Sequence, residues 1–578
     1  MSIKQDLGDL LNDIATYLEL KGENPFKIRA YQNASRTLSL LEGDIKEMVL
    51  SGELKKQKGI GEAIFETIHE FVATEKSTLL GELKNSTPPG LLEMLNVPGL
   101  GPKKIKTIYE KLGISTLGEL EYACHENRLL SLDGFGPKSQ DNILKGIEQL
   151  KKGKDYFHFD KALKEAENVL SHLKEKGLFK ELEIAGSLRR KKEVVKDIDI
   201  VGSSDAPVDA MIFFVHLSEV DRVIGHGETK STVLLKSGIQ VDLRIVESGE
   251  FPFAFQHFTG SKEHNTVLRG IAKDLGFKLN EYGLFKGDHR VSCKSEKEIF
   301  GHLGFDYIPP ELREDRGEFE AAKNKKLPRL IDSGDIKGIF HVHTTYSDGK
   351  NSLNEMIQEA KRLGYQYVGI SDHSQSAFYA HGLKETQIKE QHDEIDKLQK
   401  KNPEIKIFKG IEADILEDGA LDYPEEILAS FDFVIGSIHS RFKMNEEEMT
   451  RRLLHAMENP YLTILGHLTG RLLLSRPPYA FNLDAILEGA RKHHIIIELN
   501  ANPHRFDIDW RDCKKLKEKG LQVSINPDAH AVDNIKFTEY GVGIARKGWL
   551  TAREVFNTLP VQEMEKALKA KKSSDLRS

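Results

Sequence analysis

The chain has 578 residues, of which 39% are hydrophobic and 30% charged, with a formal net charge of −7. That length exceeds what a single hydrophobic core supports, so several domains are expected. The negative balance excludes a bulk polyanion binder; any nucleic acid must be held by local patches and backbone amides.

No apolar run is long enough to cross a bilayer. Residues 1–20 alternate polar and apolar types at helical spacing, without the basic-then-apolar layout of a signal peptide. Three dispersed cysteines, Cys124, Cys293 and Cys513, point to a reducing compartment and no disulfide framework. A cytoplasmic protein without membrane association is expected.

Residues 1–150 read as short helices separated by Gly-rich turns. Three turns share one pattern: Lys58-Gly59-Ile60-Gly61, Pro98-Gly99-Leu100-Gly101-Pro102-Lys103 and Asp133-Gly134-Phe135-Gly136-Pro137-Lys138. Two glycines around an apolar residue allow a tight turn and expose backbone N–H groups at the next helix start, where a phosphate is favoured. This is helix-hairpin-helix logic, which grips the DNA backbone without reading bases. Gly59, Gly61, Gly99, Gly101, Lys103, Gly134, Gly136 and Lys138 are the expected DNA contacts.

Residues 153–310 switch to strands mixed with helices. Gly186-Ser187-Leu188-Arg189-Arg190 follows a strand-like segment and opens a helix, offering amides and a hydroxyl to a phosphate. Lys196-Asp197-Ile198-Asp199-Ile200 comes next, and strand period 2 puts Asp197 and Asp199 on one face. Two such carboxylates repel unless a cation sits between them, and hard divalent ions want those oxygens. Asp242 lies in a further strand-like segment. Three acids beside a phosphate-gripping turn make a two-metal nucleotidyl-transfer site.

These motifs resemble the nucleotidyltransferase palm of the family X DNA polymerases, the group that includes DNA polymerase beta. Phe258-Thr259-Gly260-Ser261 with Asn265 resembles that family's nucleotide-binding thumb motif. The resemblance spans roughly residues 1–310. It implies that Asp197, Asp199 and Asp242 are catalytic acids holding Mg²⁺ or Mn²⁺. It also implies that Gly186, Ser187, Arg190, Phe258, Gly260 and Asn265 form the nucleotide site, with Ser187 and Arg190 on the triphosphate and Asn265 at the nascent base pair. Two positions depart from the pattern. Thr67 stands where lyase-competent relatives carry a Schiff-base lysine; a Schiff base needs an amine, so the resemblance gives no support for lyase chemistry. His257 stands where many relatives carry Tyr, which leaves sugar discrimination open.

Residues 311–336 read as a charged connector. Beyond it, residues 337–560 alternate strand and helix, the mark of βα units. Seven strand-like segments are legible, and six end in metal-ligand residue types: His341 and His343 with Asp348 in the next loop, Asp372-His373, Glu412, His439, His467, and Asp528 with His530. The sixth in chain order ends instead in Asn500 and Asn502. Ligands at C-terminal strand ends of a βα barrel converge on one face. Imidazole with carboxylate suits Zn²⁺, Mn²⁺ or Fe²⁺ better than Mg²⁺ alone. His392, His455 and His494 lack that placement; His381 and Arg471 are candidates to face substrate. Residues 571–578 read as a disordered tail.

This half is similar to the polymerase and histidinol phosphatase (PHP) family. The similarity implies three divalent metals, Mn²⁺ and/or Zn²⁺. One would take His341, His343, Glu412 and Asp528, and a second Asp348, His373 and His530. Glu412 would bridge to a third held by His439 and His467. The expected fold is multidomain, α+β and α/β. It comprises an N-terminal helical DNA-binding domain (1–88), fingers (89–152), a palm with a mixed sheet (153–250), a thumb (251–316), a linker (317–336) and a distorted seven-strand βα barrel (337–572). The expected function is short-gap DNA polymerisation in base-excision-type repair, with deoxynucleoside triphosphates and gapped or primer-template DNA as partners. A Mn²⁺-dependent 3′–5′ exonuclease and abasic-site cleavage are assigned to the barrel. The protein is expected to be a nucleoid-associated monomer. Two other readings stay open: a nucleotidyltransferase fused to a small-molecule phosphatase, and a chain with one non-catalytic half.

Overall fold

The computed structural model describes residues 3–41, 44–151 and 156–574, which fall into two compact units, Met1–Lys151 and Lys152–Ser578.

The first unit is helical. Its opening helix, Ile3–Leu20, buries Leu7, Leu10, Leu11, Ile14 and Leu18, the i, i+3, i+4, i+7 stripe of an amphipathic helix. Two apolar clusters hold the unit, one between Leu7 and Leu83 and one chiefly between Leu91 and Ile147.

The second unit begins with seven strands: β1 (Phe157–His158), β2 (Glu181–Ile184), β3 (Val194–Val195), β4 (Asp197–Ser203), β5 (Val220–His226), β6 (Lys230–Leu235) and β7 (Gln240–Val246). β1 and β3 pair with each other; the other five form one sheet in the order β2-β4-β7-β6-β5. The sheet is mixed, because β4 and β7 run parallel while the remaining pairs are antiparallel. Along β4, Ile198 and Ile200 are fully buried, sharing a core with Ala162, Ala166, Val169 and Leu173 of helix Phe159–Glu175. The intervening aspartates therefore face the other way.

A smaller subdomain follows. Helices Phe251–Thr259 and Lys262–Asp274 precede an antiparallel sheet of β8 (Lys278–Asn280), β9 (Gly283–Lys286) and β10 (His289–Val291). The stretch read as a charged connector is not a free linker. Leu312, Phe319, Ala322 and Leu330 belong to this subdomain's core. Arg313 and Glu318 are 0% exposed: Arg313 donates to the Ile308 carbonyl and to Glu296, and Glu318 accepts from the Asp315 and Arg316 amides. The charges that suggested solvent are paired and buried.

The last seven strands are β11 (Gly338–Val342), β12 (Tyr367–Ile370), β13 (Lys406–Asp414), β14 (Phe433–Ser437), β15 (Leu462–Leu465), β16 (Ile496–Asn500) and β17 (Val523–Asn526). They are all parallel and neighbours in chain order. Pairing of Val342 with Ala529 brings the first and last strand ends together, so the sheet is a nearly closed barrel. Phe340, Tyr367, Phe408, Phe433, Ile464 and Ile496 form a core that Phe556, Met564 and Leu568 complete. Met564 and Leu568 sit on helix Val561–Ser574, and burying each contributes roughly 1.5–3 kcal/mol. Residues 571–574, read as the start of a disordered tail, thus continue a packed helix; 575–578 lie outside the described residues. Among the described residues, no helix is long and apolar enough to cross a membrane.

Candidate functional site

In the first unit the three Gly-x-Gly turns share one geometry. The middle apolar residue donates its N–H to the carbonyl three residues back: Ile60 to Gln57, Leu100 to Val97 and Phe135 to Leu132, each at 3.1 Å. Ile60, Leu100 and Phe135 are buried, and the glycine before each has positive φ, 96° at Gly59, 85° at Gly99 and 83° at Gly134. The second glycine is the N-cap of the following helix at Gly61 and Gly101, with no side-chain cap. Where Ser, Thr or Asp normally satisfies the first amides, these turns leave them open beside exposed Lys103 and Lys138. Thr67 is buried and donates to the Ala63 carbonyl, so no amine stands at that position.

In the second unit β4 and β7 set Asp199 directly opposite Asp242, with Asp197 two residues back on the same face. Burial pushes the Asp199 carboxyl up to about 7, with help from the charges of Asp197 and Asp242. Asp197 is also raised, by burial and then by Asp242. Lys230 lies 3.6 Å from Asp242, and Arg244, Arg190 and Lys196 also favour the charged acids, but burial and the mutual repulsion of the carboxylates outweigh them at Asp197 and Asp199. The arrangement disfavours its own ionisation and fits a divalent cation. Gly186, at φ 64°, touches this group; a Cβ there would lie 2.2 Å from Asp199 Oδ2. Only glycine lets the turn press against the acids, with half-buried Ser187 beside it.

Two of the expected nucleotide residues are otherwise engaged. The Arg190 guanidinium donates to Glu314 at 3.1 Å and to the Thr259 carbonyl at 2.6 Å. Asn265 is nearly buried; its amide donates to the His257 carbonyl at 2.6 Å and its oxygen accepts from Gln256 at 3.0 Å. Gly260 packs on that amide, and Phe258 carries the Arg244 guanidinium 4.3 Å over its ring. Arg189 pairs with Glu296 at 2.6 Å and stacks on Phe255. Arg190 thus braces the turn against the thumb, and Asn265 ties together the thumb's own helix junction, in this conformation.

In the barrel all nine expected ligands meet at the C-terminal strand ends. His341, His343, Asp348, His373, Glu412, His467, Asp528 and His530 are buried and His439 nearly so. Glu412 is the hub: its oxygens lie 2.9 Å from His467 and His373, 3.2 Å from His341, 3.4 Å from His439 and 3.6 Å from His343. Overlapping ligand groups result, among them four: His343-Asp348-His373-His530, His341-Glu412-His467, His341-His343-Asp528 and His373-Glu412-His439. Three of them depart from the expected partition, since His343 also joins the Asp348 group, His341 the His467 group and His373 the His439 group. The register shift between Ile339 and Val342 re-aims His341. His341, His467 and Asp528 have φ of 61°, 25° and 50°, conformations that side chains other than glycine rarely adopt and that concentrate at functional sites.

The pocket fits cations. His341 Nε2, both ring nitrogens of His343 and of His373, His439 Nε2 and Glu412 Oε2 are buried without a hydrogen bond, an arrangement that is costly unless an ion is bound. Burial, then His530 and His373, drives the His343 pKa down to about 3, so its ring is in the neutral, ligating form. Burial also opposes charge on Glu412, but His341, His373 and His439 outweigh it and hold the carboxyl well below its usual range.

The strand that ended without a ligand supplies the support. Glu498 is 0% exposed. It lies 2.6 Å from His341 Nδ1 and accepts from Asn526 at 2.9 Å, from the His467 amide at 2.7 Å and from Asn500 at 3.1 Å. Asp414 holds His439 Nδ1 at 2.6 Å. Asn500 donates to Asp528 at 3.0 Å. Asp372 takes Thr344, Ser347 and Gln391 rather than the ligand pocket. Sequence reading missed Glu498 and Asp414; the available signal was an acid inside an otherwise apolar strand. Arg471 is buried against Asp509 and the Arg505 and Phe506 carbonyls, not exposed to substrate, whereas His381 is exposed.

Four family descriptions match the chain: "Helix-hairpin-helix domain" over residues 3–77, "SAM-like Helix-hairpin-helix tandem" over 91–149, "DNA polymerase beta thumb" over 254–314 and "PHP domain" over 340–502. A protein of Bacillus subtilis named DNA polymerase/3′-5′ exonuclease PolX is 38% identical over 98% of this chain and 99% of its own length. A probable phosphatase of Clostridium acetobutylicum is 31% identical over 33% of this chain and 78% of its own length. Another, from Thermoanaerobacter, is 28% identical over 41% of this chain and 97% of its own length. With a relative of that identity aligned almost end to end, the chain belongs to the family X DNA polymerases that carry a C-terminal PHP domain.

Proposed function

We propose that the chain is a two-site DNA repair enzyme: a template-directed polymerase for short gaps and a 3′–5′ exonuclease that also cleaves at abasic sites. One observation carries the reading. Three carboxylates on one face of two paired strands and a nine-residue His/Asp/Glu pocket, each suited to cations, share one compact unit. The name of the Bacillus subtilis relative couples the same two activities.

Asp197, Asp199 and Asp242 hold Mg²⁺ or Mn²⁺ in the palm. His341, His343, Asp348, His373, Glu412, His439, His467, Asp528 and His530 hold three divalent ions, Mn²⁺ and/or Zn²⁺, in the barrel. Bound there, such ions supply Lewis-acid chemistry, neutralising charge on a phosphoryl group and favouring deprotonation of an attacking oxygen. The chain's own residues do the positioning. The Gly186 amide and Ser187 hydroxyl bind the triphosphate of a deoxynucleoside triphosphate; Phe258, Gly260 and Asn265 shape the wall beside its sugar and base; Arg190 joins them on release from Glu314. Glu498 fixes the His341 ring, and His343 stays neutral to donate a lone pair. Gly59, Gly61, Gly99, Gly101, Gly134 and Gly136, with Lys103 and Lys138, grip the backbone of gapped or primer-template DNA. The domain limits read from sequence are part of this proposal, with the stretch up to Leu330 joined to the thumb core. The enzyme works as a cytoplasmic monomer on the nucleoid.

The test is primer extension and degradation on gapped DNA with Mg²⁺ and Mn²⁺ compared. Asp199→Ala abolishes extension and spares Mn²⁺-dependent degradation; His341→Ala does the reverse. If Asp199→Ala removes both activities from a folded protein, two independent sites are the wrong picture. The phosphatase-like relatives favour a second reading of the barrel, a small phosphomonoester substrate. It is distinguished by running nucleoside monophosphates in the same assay.

A further inference from the structure

Loop 374–384 follows the ligand His373 and is braced throughout. Ser374 donates its amide to the Glu412 carbonyl at 3.0 Å, and Leu383 donates to the His373 carbonyl at 2.8 Å. Ser376 donates its amide to Asp422 at 2.6 Å. Gly382 donates to the Ala377 carbonyl at 3.1 Å, and a Cβ on Gly382 would lie 1.7 Å from the Ser374 carbonyl oxygen. Ala377, Ala380 and Leu383 anchor the loop at 0% exposure.

On this fixed support stands Phe378, 62% exposed. Among the described residues it is the most exposed large apolar side chain of the second unit. Its ring meets Tyr379 edge-on with centroids 5.7 Å apart. Tyr379 in turn lies 6.4 Å from the His373 ring and 6.3 Å from the His439 ring. Two aromatic steps therefore lead from the ligand pocket to solvent.

The Phe378 ring packs edge-on against Tyr379 and otherwise stands open to solvent beside the ligand pocket. A nucleobase covers the open face, because every base has a π-face and stacks on aromatic side chains whatever its sequence. We propose that Phe378, backed by Tyr379, is the nucleobase platform of the barrel site: it stacks the base of the 3′-terminal nucleotide whose phosphodiester lies over the His/Asp/Glu pocket. The platform adds affinity for nucleotide ends without reading sequence, while cleavage at abasic sites proceeds without that contact. The proposal rests on the exonuclease reading above and deepens it by naming what the site recognises.

The experiment compares Mn²⁺-dependent removal of the terminal residue from two single-stranded oligonucleotides. One ends in a normal 3′ nucleotide and the other in a tetrahydrofuran abasic residue. The wild-type enzyme is expected to prefer the normal end in kcat/KM by about tenfold or more, within the range of one base-on-aromatic stack. In Phe378→Ala the ratio is expected to fall to near one; Phe378→Trp is expected to keep it. Thermal unfolding and bound-metal content of each variant establish that the fold and pocket are intact. A wild-type ratio near one, or an unchanged ratio in Phe378→Ala, overturns the platform. Failure of the wild-type enzyme to degrade either oligonucleotide overturns the exonuclease reading instead, so the two failures are distinguishable.

Discussion

Glu498 shows what one residue does from outside the ligand set. Its two oxygens are saturated by His341, Asn526, the His467 amide and Asn500, so it sets the tautomer of one ligand and the backbone of another. Glu498→Gln replaces an acceptor with a donor facing donors. We expect barrel metal affinity and exonuclease rate to fall about 10- to 100-fold, with primer extension retained; metal titration and the two assays check it. The palm acids were legible because strand period 2 and the spacing Asp-x-Asp leave no choice of face. Glu498 was not, since a lone acid in an apolar strand has no spacing to read. Arg190 and Asn265 were legible as residues but not as contacts. The Arg190 partners, Glu314 and the Thr259 carbonyl, come from subdomain packing that no local pattern encodes, while the Asn265 bond to the His257 carbonyl is a tertiary detail of one helix junction.

Among elements, the Gly-capped turns carry the clearest prediction. Gly61 and Gly101 have φ of −80° and −95°, and a Cβ at either meets nothing within 4 Å. Serine is therefore tolerated, and as an N-cap it stabilises the helix by a few tenths of a kcal/mol relative to Gly. The same hydroxyl occupies an amide that the turn otherwise offers to phosphate. Gly61→Ser with Gly101→Ser should leave the melting temperature equal or slightly higher yet weaken DNA binding several-fold, read by fluorescence anisotropy at fixed salt. A loss of both would point to fold damage. Barrel strands were legible as elements because parallel strands are continuous apolar runs with ligands at their ends. The connector was misread because charge composition reports solvent only when charges are unpaired. Arg313 with Glu296, and Glu318 with the Asp315 and Arg316 amides, are charges taken into the core together.

In the second unit the palm, thumb and barrel meet at Lys547. This lysine is 0% exposed and donates to the Arg190 carbonyl at 3.0 Å, to the Glu311 carbonyl at 3.4 Å and to Glu314 at 2.5 Å. Burial lowers its pKa to about 8, against the opposing pull of Glu314. Below pH 8 both folded and unfolded chains carry this proton. Between 8 and the unfolded value near 10.5 only the unfolded chain does, so stability from this site rises with pH. Chemical denaturation at pH 7.5 and 10 should show wild type gaining on Lys547→Met by at most about 3 kcal/mol. A gain of the opposite sign would refute the assignment. Lys547→Met should also raise the KM for deoxynucleoside triphosphates while sparing the exonuclease, because Glu314, relieved of Lys547, holds Arg190 more tightly away from the triphosphate.

The same junction bears on the order in which the protein comes into being. Glu193 accepts from Trp510 and Arg511, and the Arg190 carbonyl waits for a lysine 357 residues further on. A ribosome finishes the palm long before it makes those partners, so the nascent palm carries a carboxylate and a carbonyl still unmatched. The polymerase half is then not a portable module that could be cut away or transplanted whole. Its nucleotide turn acquires its final bracing only when the barrel has been synthesised and has docked.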